Sequence, residues 1–169
     1  MTEEALIGIQ FDETKWPDLT AFRQACLAER LDDMQRIADL SHHWYPNENP
    51  ESLGMATLAK IFQAQHYAAE NDLPALRRVI ERDPWTVNYP WTAQGWLPIT
   101  QAASAQGDRR TVAYLLASGA DPSLSVGSPE DRMTVPAIAR SAGHTGLAQW
   151  LDQVVADRQA SNPTPGDED

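Results

Sequence analysis

The side chains best suited to chemistry are few. His42 and His43 are adjacent, Glu48 and Glu51 follow, and His66 lies further along, a mixture of imidazole and carboxylate donors that suits a divalent transition metal. Adjacent side chains diverge, so the His42–His43 pair chelates only if the fold brings up a third ligand. A helical-scaffold enzyme or metal-dependent protein using His42, His43 and His66 is therefore the alternative reading of the chain. Cys26 is the sole cysteine, set in Phe22-Arg23-Gln24-Ala25-Cys26-Leu27, and reads as a small buried hydrophobe rather than a nucleophile. Asp32 and Asp33 sit where a helix begins, and carboxylates there complement the helix dipole. No G-x-G-x-x-G, G-x-x-x-x-G-K-S/T or G-x-S-x-G arrangement occurs, so no phosphate-cradling loop or nucleophile elbow is expected. The expectation is a chain without catalytic residues, cofactor or metal.

Charge gives a clearer signal. The 169 residues carry 24 acids against 13 bases, a net charge of −11, which disfavours nucleic acid and anionic membranes as partners and suits a basic protein. Residues 1–54 hold 11 acids and 4 bases, so most of the imbalance lies in the first third. Within it, Asp12, Glu13, Asp18, Asp32, Asp33, Asp39, Glu48 and Glu51 form the expected negative end. The lone cysteine, the absence of a basic leader before Ala5 to Ile9, and the lack of an apolar run of about 18 residues together suggest a cytoplasmic protein.

Helical periodicity dominates the elements that would position these groups. Leu73, Leu76, Val79 and Ile80 lie on one face, as do Val112, Leu115 and Leu116, and then Leu147, Trp150, Leu151, Val154 and Val155. Each is preceded by a second apolar, alanine-rich segment: Leu58 to Ala69, Ile99 to Ala105, and Val135 to Ala142. The junctions centre on Asn71, Gly107 and Gly143, residues suited to a left-handed helix end, with Asp72 and Asp108 placed to cap the next helix. These junctions are 36 residues apart, a spacing that marks stacked helix pairs. Leu19 to Glu29 and Asp32 to Leu40 predict an earlier pair. Ser41 to Gly54, which contains two prolines, sets it apart.

The stretch Leu97-Pro98-Ile99-Thr100-Gln101-Ala102-Ala103, followed by Gly107-Asp108, Val112, Leu115-Leu116 and Gly119-Ala120-Asp121-Pro122, resembles an ankyrin repeat. The unit with Thr134, Ile138-Ala139-Arg140, Gly143-His144, Leu147 and Leu151 is similar. In residues 55–90, Asp83-Pro84 stands in for the usual Gly-Ala. The consensus histidine of the first helix is replaced, with Gln65, Gln101 and Ala137 at about that position. The resemblance implies an all-α, ankyrin-type α-solenoid of about four helix–turn–helix repeats, the first two divergent. Its units would span about 14–54, 55–90, 91–125 and 126–157 of one domain (1–157), before an acidic, disordered tail at 158–169. It further implies a protein-binding module whose first helices and turn tips line a concave face, here without enzymatic activity.

Aromatic residues gather at the expected tips. Trp85, Tyr89, Trp91 and Trp96 fall within twelve positions, and Trp44 and Tyr45 occupy the equivalent connection one unit earlier. Such side chains dominate interface energies. The expected partner-binding set is Trp44, Tyr45, Tyr89, Trp91 and Trp96 with Asp32, Asp33, Glu48 and Glu51. Trp91 and Trp44 are the preferred anchors because neither belongs to a helical apolar stripe. A monomer binding a basic partner, as an inhibitor or immunity protein of a toxin or nuclease, is the sharpest form of this expectation.

Overall fold

A computed structural model of the chain describes residues 17–40, 54–91 and 95–161. Among them the chain is mostly helical. The helices are α1 (Pro17–Leu27), α2 (Leu31–Leu40), α3 (Met55–Ala69), α4 (Leu73–Arg82), α5 (Pro98–Ser104), α6 (Arg109–Ala117), α7 (Val135–Ser141) and α8 (Thr145–Ser161). A 3₁₀ turn, Pro84–Asn88, follows α4, and a two-stranded antiparallel hairpin precedes α7, pairing β1 (Ser125–Val126) with β2 (Met133–Thr134). Among the described residues no helix is long and apolar enough to cross a membrane.

The turns inside the helix pairs follow from their residue types. Asn71, Gly107 and Gly143 have φ of 59°, 64° and 87°, the left-handed geometry that ends a helix. Asp72 then accepts from the amide of Ala75 at 3.2 Å, and Asp108 from that of Arg110 at 2.9 Å, each satisfying a helix N–H that would otherwise lack a partner. Proline stands in the first turn of α4, α5 and α7, where its missing N–H costs nothing.

The odd-numbered helices form a continuous row, α1 on α3, α3 on α5 and α5 on α7. Alanine makes this approach possible: Ala64, Ala68, Ala102, Ala103 and Ala139 are all buried. Leu76, Ile99, Val112, Leu115 and Leu151 fill one core cluster, while Phe22, Met34, Leu58, Phe62 and Trp91 fill another around α1 to α3. Burying one such side chain stabilises the fold by about 1.5–3 kcal/mol relative to exposure.

Neighbouring pairs are also tied through their turns. The Asn71 side-chain Nδ2 donates to Asp108 at 3.0 Å, and the Thr111 hydroxyl donates to the Asn71 side-chain Oδ1. One unit on, the His144 ring covers Gly107 and its Nε2 lies 3.3 Å from the Ala105 carbonyl. On the even-numbered helices, Arg77 lies over the Tyr114 ring at 5.0 Å and Arg109 over the Trp150 ring at 4.5 Å. Each is a cation–π contact between successive pairs.

The connection between α6 and α7 contains the hairpin. The last helix, α8, runs to Ser161, past position 158 where the sequence expectation began the tail. Arg158 holds this last turn by donating to the carbonyls of Ala120 and Leu116 at 3.2 and 3.5 Å. Residues 162–169 lie outside the described residues.

Candidate functional site

The segment between α4 and α5 carries most of the described candidate residues. Asp83 ends α4, and its carbonyl accepts from the Thr86 amide and hydroxyl at 3.0 and 2.7 Å, winding Pro84–Asn88 into the 3₁₀ turn. The Asn88 side chain then donates to the Gly119 carbonyl at 2.9 Å, seating this turn against the end of α6. The chain doubles back where the Trp91 amide donates to the Trp96 carbonyl at 2.9 Å. Gln65, buried in α3, donates from one Nε2 to the carbonyls of Tyr89 and Trp96 at 3.2 and 3.0 Å. A glutamine at the expected histidine position thus clamps both arms of the tip.

The rings of this segment divide into core and surface. Trp91, preferred as an anchor from sequence, is 2% exposed and belongs to the core. Its ring packs on Phe62 at 5.1 Å between centroids, and its segment is extended, so burial there leaves no helical stripe in the sequence. A partner cannot reach it without opening the fold. Tyr89 and Trp96 are half-buried. Trp85, outside the expected binding set, is 42% exposed and meets Tyr89 edge to face, centroids 5.6 Å apart at 84°. Its position directly after Pro84 was the available sign that it stands on a turn rather than in a core.

The acidic candidates are more varied than their sequence suggests. Asp32 is exposed, whereas Asp33 is half-buried and accepts from Arg30 and Arg36 at 3.2 and 2.9 Å. Glu29, in the turn between α1 and α2, pairs with Arg82 at 3.2 Å. Arg82 also pairs with Asp83 at 2.7 Å, and Lys60 reaches Asp83 at 3.5 Å. Burial raises the Asp83 pKa, but the Arg82 hydrogen bond and the Lys60 and Arg82 charges outweigh it and hold the carboxyl below its usual range. The Arg82–Glu29 pair therefore ties the turn leading into Asp32 to the end of α4, three residues before Trp85.

Trp44, Tyr45, Glu48, Glu51, His42 and His43 lie outside the described residues. His66 packs between Phe62 and Tyr67, with ring centroids 5.4 and 5.6 Å away. Among the described residues no three His, Cys, Asp or Glu side chains gather closely enough to hold a metal ion. Cys26 is fully buried, which pushes its thiol pKa well above the ordinary range and keeps it neutral.

No family model and no curated protein sequence matches the chain. Its own geometry is what bears on function. That geometry offers an exposed indole with a tyrosine beside it, on a turn braced by hydrogen bonds from Gln65 and Asn88 and linked back by an ion pair to the turn between α1 and α2.

Proposed function

We propose that the chain is a small ankyrin-like repeat protein that binds a basic protein partner through its turn tips and the adjoining helix faces, and that it does no chemistry. The observation that carries this reading is the link between successive turns, Asn71 to Asp108 and Gly107 to His144. In both links the residue at one turn meets a residue 37 positions further along, as it would in repeated units. Stacked units of this kind form an extended rigid surface, and rigid surfaces bind with little ordering cost.

The net charge of −11 favours a basic partner by steering its approach. In its sharpest form the protein is a cytoplasmic inhibitor or immunity protein that occupies the active site of a basic toxin or nuclease. Affinity capture with the purified chain, followed by mass spectrometry, tests this. The captured proteins should be basic, and their retention should fall as salt rises from about 0.15 to about 0.5 M, where screening shortens the electrostatic range. Acidic partners, or retention indifferent to salt, would defeat the electrostatic reading.

A further inference from the structure

The large rings on the even-numbered helices follow a pattern. Tyr114 is covered by the Arg77 guanidinium at 5.0 Å, and Trp150 by that of Arg109 at 4.5 Å, each arginine coming from the preceding pair. In the core, Arg23 lies 5.6 Å from the Phe62 centroid. Trp85 departs from this pattern. It is the most exposed of the described tryptophans and meets the Tyr89 ring, yet among the described residues no guanidinium or ammonium lies over it. The nearest arginine in the chain, Arg82, is committed to Glu29 and Asp83.

We infer that Trp85, with Tyr89 set almost perpendicular beside it, is the seat for an arginine or lysine side chain of the partner. Two rings at 84° form two walls of an open corner. The faces of aromatic rings attract cations, and indole does so most strongly. Glu81, four positions before Trp85 in the last turn of α4, is exposed, and the net charge of −11 favours a cationic visitor over an anionic one. An incoming guanidinium would lie over the free indole surface, as Arg109 does over Trp150. This inference rests on the basic-partner reading above and names the side-chain class that one part of the surface takes.

An octa-arginine peptide is a suitable probe, titrated by calorimetry into the full chain and into Trp85→Ala and Trp85→Phe variants, with an octa-glutamate peptide as control. Far-ultraviolet circular dichroism checks that each variant is folded, and Trp85→Phe keeps a ring in place if the alanine variant is not. Octa-arginine should bind the wild type. Trp85→Ala should weaken binding at least about fivefold, while Trp85→Phe should retain most of it, the scale of one cation–π contact. In a ¹⁵N spectrum the Trp85 indole resonance, assigned by its loss in Trp85→Phe, should shift more than the other indoles. Equal binding by the folded wild type and variants, with an unmoved Trp85 indole, overturns the seat and leaves the basic-partner reading standing. A wild type that binds neither peptide overturns both.

Discussion

His144 occupies the space where a side chain at position 107 would begin: a Cβ on Gly107 would stand 2.4 Å from the His144 Cγ. Gly107 also has φ of 64°, so two independent constraints select glycine there. Gly107→Ala should lower stability in urea unfolding by about 2–3 kcal/mol, of which about 1–2 is the left-handed backbone and the rest the displaced ring. Adding His144→Ala should recover part of that loss, giving a double variant less destabilised than the sum of the singles. An unfolding midpoint unchanged by Gly107→Ala would mean the two turns do not touch.

Trp91 and Trp85 should separate cleanly when each is cut to alanine. Trp91→Ala removes a ring packed on Phe62 and should cost about 3–5 kcal/mol, enough to unfold the α1–α3 region at moderate temperature. Trp85→Ala should change stability by no more than about 0.5 kcal/mol. Chemical denaturation of both variants side by side checks the assignment of core and surface.

Gln65 should act as a brace for the tip. Gln65→Ala leaves the carbonyls of Tyr89 and Trp96 without their shared donor and opens a small cavity, for an expected cost of about 1–3 kcal/mol. Faster hydrogen exchange at the Trp91 amide, bonded to Trp96, would accompany it. Unchanged exchange at that amide would show that the brace is dispensable.

Acid stability should depend on Asp108. Hydrogen bonds from the Arg110 side chain and the Asn71 side chain, then the Arg110 backbone amide, hold its carboxyl well below the usual carboxylate range. In the unfolded chain it returns to about 3.9. Below that value the unfolded state binds a proton that the native state refuses, so this contribution to stability is present above about pH 4 and is lost as pH falls further. Asp108→Asn should be less stable than wild type at neutral pH and close that gap toward about pH 2, as read from urea midpoints across the series. A gap that does not change with pH would assign the effect to packing. Asp83 and Asp121 are also held low, so the difference between the two proteins is the informative quantity.

The helix pairs and their turns were legible because they depend on local chemistry. Asn71, Gly107 and Gly143 could be placed by their tolerance of positive φ, and Asp72 and Asp108 by their capping oxygens. The tip was harder to read because its order comes from distant residues. Trp91 is buried by Phe62 of α3, and Gln65 reaches 24 and 31 positions along the chain. Neither contact leaves a period in the sequence. The hairpin strands are two residues each, too short for an alternating pattern. The last turn of α8 is polar and reads as tail until Arg158 is seen to bind the Ala120 and Leu116 carbonyls.

The turn contacts also make the units non-interchangeable. Asn71 meets an aspartate, whereas Gly107 meets an imidazole. If the pair carrying His144 followed the pair carrying Asn71, the ring would run into a side chain where it now finds bare backbone. If the pair carrying Asp108 followed one that turns on glycine, its carboxylate would lose the amide that holds it. Each turn therefore works as a lock cut for the key of the next, and the order of the pairs along the chain is written into their joints.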